Sequence, residues 1–204
     1  MRKRSFSVVY IVGAALIIAS FAMLAALQIR VHIGSDNGRR IVEEIDGLLP
    51  EKYSAVPDML AGQNMPVLEI DGVDYVAIIE IPDHGVMLPV GDKWNGNNQF
   101  DYPSRFSGSA YDHTLVIGGA DNPHQFAFCD KIDNGTAVTV TDMTGAQFTY
   151  SVTKVERSGK ADSRWLQSSD CDLTLFCRGA YSMEYVAVRC DFTYGDDGIS
   201  ADYK

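Results

Sequence analysis

Metal-binding cysteine motifs are missing from this sequence. Its four cysteines include no Cys-x-x-Cys pair, and its four histidines do not cluster with them. Zinc sites need thiolate and imidazole ligands at such spacings. We therefore expect neither a metal site nor any other cofactor in this protein.

Positive charge is also scarce. The 204 residues include 17 basic and 27 acidic side chains, and residues 1–30 hold four of the basic ones and none of the acidic ones. The rest of the chain therefore carries 13 basic and 27 acidic side chains, a formal charge of −14. Because nucleic-acid binding depends on neutralising phosphates, this charge argues against a nucleic-acid partner.

Charged residues are absent from one long stretch, residues 8–27. At about 1.5 Å per residue, a helix of this length spans a hydrocarbon core of roughly 30 Å. Arg2, Lys3 and Arg4 precede the stretch, and such positive flanks stay in the cytoplasm. We expect residues 1–30 to form a cytoplasmic N-terminus and a single-pass anchor in the cell membrane, with the following domain extracellular. A cleaved signal peptide is the alternative, although its apolar run is usually about 7–15 residues.

Beyond the anchor, residues 31–66 are predicted to form a linker and an amphipathic helix. Apolar residues such as Ile41 and Ile45 recur at helical spacing, and Pro50 ends the pattern. The polar face mixes both signs of charge, so we expect this helix to pack on the domain rather than on the membrane. At the other end of the chain, residues 195–204 are predicted to be a polar tail.

Residues 67–194 are predicted to be mostly β-structure. The pair Asp71-Gly72 in "VLEIDGVDYVAIIEI" favours one hairpin, and Gly145 in "TAVTVTDMTGAQFTYSVTKVE" marks a second. The polar, glycine-rich residues 91–112 are predicted to be a long loop. The spacing of the strand-like runs and turn signals predicts about seven or eight strands in a closed or nearly closed β-barrel.

Four stretches occur in an order and at spacings that match one protein family. They are "VAIIEIPDHGVMLPV", "FSGSAYDHTLVIGGADNPHQF", "FAFCDKIDNGTAVTVTDMTGAQFTYSV" and "DLTLFCRGAYSMEYVAVRCDF", all within residues 38–193. The chain thereby resembles the sortases, especially the class B-like cysteine transpeptidases of Gram-positive bacteria. The resemblance implies a sortase-like closed β-barrel with an N-terminal helix and short helical turns, in a membrane-anchored protein of the cell surface.

The resemblance also implies a chemistry and two partners. In sortases a cysteine thiolate attacks a backbone carbonyl in the sorting-signal peptide of a surface protein, and an amine of the cell-wall precursor resolves the thioester. A histidine exchanges protons with the leaving and entering amines. An arginine donates hydrogen bonds to the oxyanion of the transition state.

Two of the three family positions hold residues that cannot perform these roles in the usual way. Ala120 stands where the family has its histidine, and its methyl group cannot transfer a proton. His124 and His113 are the histidines that can substitute for it. Tyr185 stands at the arginine position, where a phenol donates one hydrogen bond but brings no positive charge. Arg178 and Arg189 are the arginines that can substitute at this position, although Arg189, on the closing strand, is expected to be a solvated arginine of the strand face.

The third position, the nucleophile, permits two alignments of "DLTLFCR". Without a gap, Cys177 takes the place of the threonine that precedes the nucleophile, and Arg178 takes the place of the nucleophile itself. With one residue deleted, Cys177 is the nucleophile. Neighbouring residues of a strand face opposite sides. A shift of one position therefore aims Cys177 away from the groove, unless the strand end bulges.

The other cysteines have simpler interpretations. Cys129 is expected to fill the core. Cys171 and Cys190 would lie opposite each other in a simple hairpin, so a cross-strand disulfide between them is conceivable, subject to geometry.

Three functional hypotheses follow. The first is a pseudoenzyme that binds or regulates, holding a peptide or engaging another sortase or a pilus component. The second is an active transpeptidase with a relocated site, in which Cys177, Arg178 and His124 are the candidate catalytic residues. The third is an unrelated extracellular β-domain.

Overall fold

The N-terminal helix α1 is continuous from Lys3–Leu48. The computed structural model describes residues 3–95, 101–167, 170–179 and 184–194, and within α1 it describes the side chains of residues 10–26 and 36–48. The predicted tail, residues 195–204, lies outside the described residues. The apolar run and the predicted amphipathic segment thus belong to one helix. Among the described residues, including the described part of α1, no helix is both long and apolar enough to cross a membrane.

In the described residues, α1 is followed by ten strands and by a second helix, which is short. The strands are β1 (Tyr53–Ser54), β2 (Leu68–Ile70), β3 (Val73–Ile81), β4 (Val86–Gly91), β5 (Ser104–Ser107), β6 (Leu115–Ala120), β7 (Ala137–Asp142), β8 (Ala146–Ser158), β9 (Leu173–Arg178) and β10 (Tyr185–Phe192). Helix α2 (Ser163–Leu166) lies between β8 and β9, and single 3-10 turns occur at Pro57–Met59, Pro82–His84 and Ala110–Asp112.

The strands close into a barrel. Neighbouring strands run in the order β8, β10, β9, β6, β5, β4 and β3, and β7 pairs with both β3 and β8, which completes the circle. Strands β1 and β2 add to β8 and β3 outside this circle. The prediction of a closed β-barrel of about seven or eight strands is therefore confirmed, with eight strands in the circle among the described residues.

Both predicted hairpins are present. Strands β2 and β3 turn at Asp71 and Gly72, whose φ angles of 52° and 77° are the left-handed values that a tight two-residue turn requires. Strands β7 and β8 turn at Gly145, with φ of 84°. The local sequence was enough to predict both hairpins, because each turn requires residues that tolerate a positive φ angle.

The loop prediction for residues 91–112 was wrong at β5. This four-residue strand pairs with β6 along its length and touches β4 at one residue, Ser104 opposite Gly91. Its side chains include two serines and Arg105, so it has no alternation of apolar and polar residues to reveal it. Pairing with its neighbours, rather than its own sequence, makes it a strand.

Two apolar layers hold the fold together. The barrel interior is filled by residues that are at most 1% exposed, among them Val76, Ile79, Val90, Leu115, Ile117, Val140, Phe148, Tyr150, Leu173, Leu175 and Val188. On one outer side, α1 packs its buried residues Ile41, Val42 and Ile45 against Tyr75 and Ile78 of β3. The C-terminal half of α1 therefore covers the barrel, as its apolar spacing predicted.

A buried carboxylate fixes the β7–β8 turn to the rest of the barrel. Asp142 is 0% exposed. Its Oδ1 accepts hydrogen bonds from the backbone N–H groups of Thr144 (2.7 Å) and Ala146 (3.0 Å), and its Oδ2 accepts one from the hydroxyl of Tyr111. Because Tyr111 comes from the turn before β6, one side chain joins the closing hairpin to the opposite part of the sheet.

We predict that Asp142→Ala destabilises the protein strongly. The substitution leaves buried N–H and O–H donors without an acceptor, so we expect the free energy of unfolding to fall by about 3 kcal/mol. Asp133→Ala, at an exposed aspartate, is the matched control and should change it by less than about 0.5 kcal/mol. Urea titration followed by tryptophan fluorescence measures both, and equal effects would contradict the role given to Asp142.

Candidate functional site

The three family positions meet at the ends of neighbouring strands. Strands β6 and β9 are parallel, with Gly119 opposite Cys177 and Ala120 opposite Arg178. Strands β9 and β10 are antiparallel, with Arg178 opposite Tyr185. Neither ladder has a register shift at these residues. We call Ala120, Arg178 and Tyr185, which are adjacent across three strands, the strand-end corner.

Alternation along β9 decides which side each residue faces. Leu173, Leu175 and Cys177 belong to the interior core of the barrel, whereas Phe176 packs in an outer cluster. Arg178 is two residues beyond Phe176, so it lies on the outer face, where it is exposed. The strand end does not bulge, and Cys177 therefore lies on the inner side.

The thiol of Cys177 lies in an apolar environment. Its side chain is 3% exposed, and its sulfur donates to the backbone carbonyl of Phe126 at 3.7 Å, not to a histidine. The thiol of Cys129 is a neighbour, and its pKa is raised well above the usual value by burial first and by a hydrogen bond with Cys177 second. Reactive cysteines lie instead in partly exposed surroundings beside positive charge. The surroundings of Cys177 thus differ from those of a reactive cysteine.

In the strand-end corner, the guanidinium of Arg178 is stacked over the ring of Tyr185. The guanidinium carbon of Arg178 lies 5.7 Å from the centroid of the Tyr185 ring, within the range of a cation–π contact. The backbone N–H of Ala120 donates to Oε1 of Gln125 at 3.0 Å, and its methyl group is the only side-chain group that it brings. The corner can bind an anion or a carbonyl oxygen, but none of its three residues supplies a thiol or an imidazole.

His113 lies at the opposite end of β9 from Cys177. Its Nδ1 is 3.1 Å from Oδ1 of Asp172, and its Nε2 is 3.4 Å from Oδ1 of Asp58. Asp172 precedes β9 whereas Cys177 is close to its end, a separation of roughly 16 Å at about 3.3 Å per residue. The ring of His113 is thus directed to two carboxylates far from the corner.

His124 lines a cavity on the side of the barrel that α1 covers. The cavity has a volume of about 390 Å³, and its polar lining residues include Arg39 and Glu43 of α1 and His84 of the turn before β4. The backbone N–H of His124 donates to Oδ1 of Asn122 at 2.9 Å. The structure therefore brings Ala120, Arg178 and Tyr185 together, but it puts the three candidate catalytic residues Cys177, Arg178 and His124 in different surroundings. Their catalytic role stays a prediction.

An aromatic layer lies beside the corner on the outer face of β6 and β9. Trp94 and Phe106 each contact Phe176, with ring centroids 5.2 Å and 5.5 Å apart, respectively. Gly118 makes room beneath them, since a Cβ there would lie 2.3 Å from Trp94 and 2.6 Å from Phe176. We call Trp94, Phe106 and Phe176 the aromatic floor.

Arg189 was predicted to be solvated, and this prediction was wrong. The residue is 4% exposed, because its guanidinium fastens α2 onto the sheet. Nη1 and Nη2 donate to the carbonyl oxygens of Leu166 (3.0 Å) and Trp165 (2.5 Å), and Nε donates to Oε2 of Glu156 at 3.1 Å. The ammonium of Lys154 and the guanidinium of Arg189 lower the pKa of Glu156, against the effect of partial burial. Arg189 therefore holds α2 in place beside the aromatic floor, and each of its three nitrogens already donates a hydrogen bond within the fold.

Sequence comparison and structure comparison give different results for this chain. No protein-family model and no characterised protein sequence matches it. Solved structures do match. Sortase A from Corynebacterium diphtheriae has a TM-score of 0.53 at 17% identity, over 82% of this chain and 86% of that one. Sortase C1 from Streptococcus agalactiae has a TM-score of 0.52 at 21% identity, over 66% and 74%. A Clostridium perfringens sortase D5 transpeptidase has a TM-score of 0.51 at 18% identity, over 59% and 80%.

These identities are low, so the similarity concerns the fold. The matched sortases are of classes A, C and D, and the class B-like assignment stays a prediction. The closed β-barrel agrees with the fold that the resemblance found in the sequence implies. The chain has a sortase-like fold.

Proposed function

We propose that this chain is a cell-surface protein that binds a sorting-signal peptide in a sortase-like groove without cleaving it. One observation carries the proposal: Ala120, Arg178 and Tyr185 occupy the corner at which the resemblance implies histidine, cysteine and arginine. The runner-up is an active transpeptidase with a relocated site at Cys177.

The change at the corner removes each component of the chemistry. At the end of β9 the side chain on the outer face is that of Arg178, which is not a nucleophile, because Cys177 faces inward. No proton carrier stands at Ala120. Loss of one member of such a set already lowers the rate by several orders of magnitude, and loss of an oxyanion donor alone costs roughly 3–4 kcal/mol.

The surface beside the corner has features that suit an extended peptide. The aromatic floor offers an apolar surface for peptide side chains. Arg178 offers a planar guanidinium, which suits the bidentate recognition of a carboxylate and also donates to backbone carbonyls. Arg189 holds α2 in position at the edge of this surface, independently of any catalytic residue.

We predict that the protein binds a peptide containing an LPxTG-type sorting motif and leaves it intact. Fluorescence anisotropy with a labelled peptide measures binding, and mass spectrometry of the same mixture detects any cleavage. Arg178→Ala should weaken binding about tenfold, since a charge-assisted hydrogen bond is worth roughly 1.5 kcal/mol. Arg40→Ala is the matched control, because Arg40 pairs with Asp71 on α1's side of the barrel.

A rebuilt corner provides the positive control for cleavage. The triple variant Ala120→His, Arg178→Cys and Tyr185→Arg returns the three implied groups to the outer face, so we expect it to gain a thioester adduct with a substrate-like electrophile. Rapid cleavage by the unmodified chain, near the rate of an active sortase, would refute the proposal. Failure to bind the peptide at all would favour a role in engaging another sortase or a pilus component.

The reactivity of Cys177 separates the proposal from its runner-up. In the reduced, folded protein we predict that Cys177 and Cys129 are alkylated by iodoacetamide at similar rates, at least about 100-fold more slowly than in the urea-unfolded chain, because reaction needs local opening. Peptide mass mapping over time measures both rates. Fast, selective alkylation of Cys177 would indicate an activated thiol and support the relocated active site.

We also propose that α1 anchors the protein in the cell membrane, with its N-terminus in the cytoplasm and the barrel outside. Large apolar side chains of its N-terminal half are exposed on all sides, including Tyr10 (75%), Ile18 (68%) and Phe21 (69%). Nothing in the described chain covers them, and water is a poor environment for such a helix. The positive residues before residues 8–27 support this orientation.

We predict that the full chain stays in the membrane pellet after an alkaline carbonate wash, and that its intact mass retains residues 1–30. Ile18→Lys combined with Phe21→Lys should release it, since each charge in the middle of a spanning helix costs about 3 kcal/mol. Glu44→Lys, on the exposed side of α1 beyond the apolar run, is the control and should not. A soluble full-length chain, or a mass lacking the apolar run, would contradict the anchor.

A further inference from the structure

Three of the four cysteines lie inside the barrel. Cys129 and Cys190 are 0% exposed and Cys177 is 3% exposed, and all three are thiols in the structure. The fourth, Cys171, has its sulfur 3.4 Å from the hydroxyl of Thr174, which belongs to the outer side of β9 because it also accepts from Arg189. The peptide-binding proposal uses none of these buried thiols.

Cys129 and Cys177 converge on one backbone oxygen. The carbonyl of Phe126 accepts the backbone N–H of Cys129 at 3.0 Å and the Sγ of Cys177 at 3.7 Å. The Phe126 ring also covers Gly119, where a Cβ would lie 2.8 Å from it, and Gly119 is the register partner of Cys177. Two independent contacts therefore bring the chain segment of Cys129 against the end of β9.

The segment that carries Cys129 thus reaches Cys177, whereas Cys190 is remote from Cys177. Hydrogen bonding with the Cys177 thiol is a cause, after burial, of the raised pKa of Cys129. Cys190 pairs with Leu173 at the other end of β9, which puts it roughly 13 Å along the strand from Cys177 at about 3.3 Å per residue. Cys177 is thus the cysteine best placed to pair with Cys129.

We propose that Cys129 and Cys177 form a disulfide bond when the protein folds in an oxidising environment. The bond would join the end of β9 to the connection between β6 and β7, residues 121–136. These are the two segments that carry and flank the strand-end corner. The inference goes beyond peptide binding and does not depend on it, because the bond is detected by mass rather than by affinity.

The reaction balances with an external disulfide as oxidant, such as oxidised glutathione or the disulfide of a thiol oxidoreductase. One cysteine thiolate attacks the external disulfide, forms a mixed disulfide and releases one thiolate. The second cysteine thiolate then attacks the protein sulfur of that mixed disulfide and releases the other. Two protons leave the protein thiols, and the external disulfide takes up two electrons. Burial slows both attacks in the folded state, so the bond should form while the chain folds.

The bond would have a consequence for the neighbouring groove. Arg178 follows Cys177 directly, so a cross-link at Cys177 restrains the backbone from which the guanidinium projects outward. Exterior compartments permit such bonds, and the proposed membrane orientation exposes the barrel to one.

The experiment compares full-length protein refolded in glutathione redox buffer with protein refolded in dithiothreitol. After alkylation, trypsin yields Cys129 in residues 106–131, Cys171 and Cys177 in residues 165–178, and Cys190 in residues 190–204. We expect the oxidised sample to contain a cross-linked peptide of the first two and alkylated Cys190. Closing a loop of this length should also raise the melting temperature by about 10 °C.

Single substitutions identify the partners. Cys171→Ser should keep the cross-linked peptide, whereas Cys129→Ala and Cys177→Ala should each abolish it and the rise in melting temperature. Should either alanine variant fail to fold, Cys129→Val and Cys177→Val replace the thiol with an apolar group of similar volume. A Cys171–Cys190 or Cys129–Cys190 cross-link, or four alkylated thiols in the oxidised sample, would overturn the proposal.

Discussion

The parallel pairing of β6 with β9 is the constraint on which the candidate site depends. Because side chains alternate along a strand, a slip of one residue would exchange the inner and outer faces of β9. The observed register puts Gly119 opposite Cys177 and Ala120 opposite Arg178. The same register seats the Phe126 ring over Gly119 inside the barrel and the aromatic floor over Gly118 outside it. A thiol faces inward and a guanidinium faces outward for one and the same reason.

Features with a local cause could be predicted from the sequence. The turns at Asp71-Gly72 and Gly145 require left-handed backbone, and the spacing of turns and strands predicted the barrel. Strand β5 and the burial of Arg189 could not be predicted, since each depends on partners distant in the chain. At the site, the alternation of side chains in an ungapped alignment of "DLTLFCR" predicted that Cys177 faces inward. The approach of the Cys129 segment to Cys177 could not be predicted, because it depends on how the chain folds. The burial of Arg189 follows from its ion pair with Glu156. The sequence contains both residues, but it does not show that their strands, β8 and β10, are neighbours.

The surface beside the corner is held in place by the hydrogen bonds of Arg189. Arg189 is a buried cation whose nitrogens are satisfied by Glu156, by Thr174 and by two carbonyl oxygens of α2. Removing one partner of such a network is costly, because a buried charge would be left uncompensated. These bonds fix α2 beside the aromatic floor. A surface fixed in this way suits the proposed peptide-binding role.

The three residues of the corner also fit one another. Arg178 has its guanidinium over the Tyr185 ring, a contact that an arginine at position 185 would replace with repulsion between two cations. A histidine at position 120 would stand opposite Arg178 in the ladder, where protonation would bring a second positive charge about 5 Å away. Alanine and tyrosine avoid both conflicts. The three side chains of the corner are therefore mutually compatible, and together they present a cation at the outer face of the barrel.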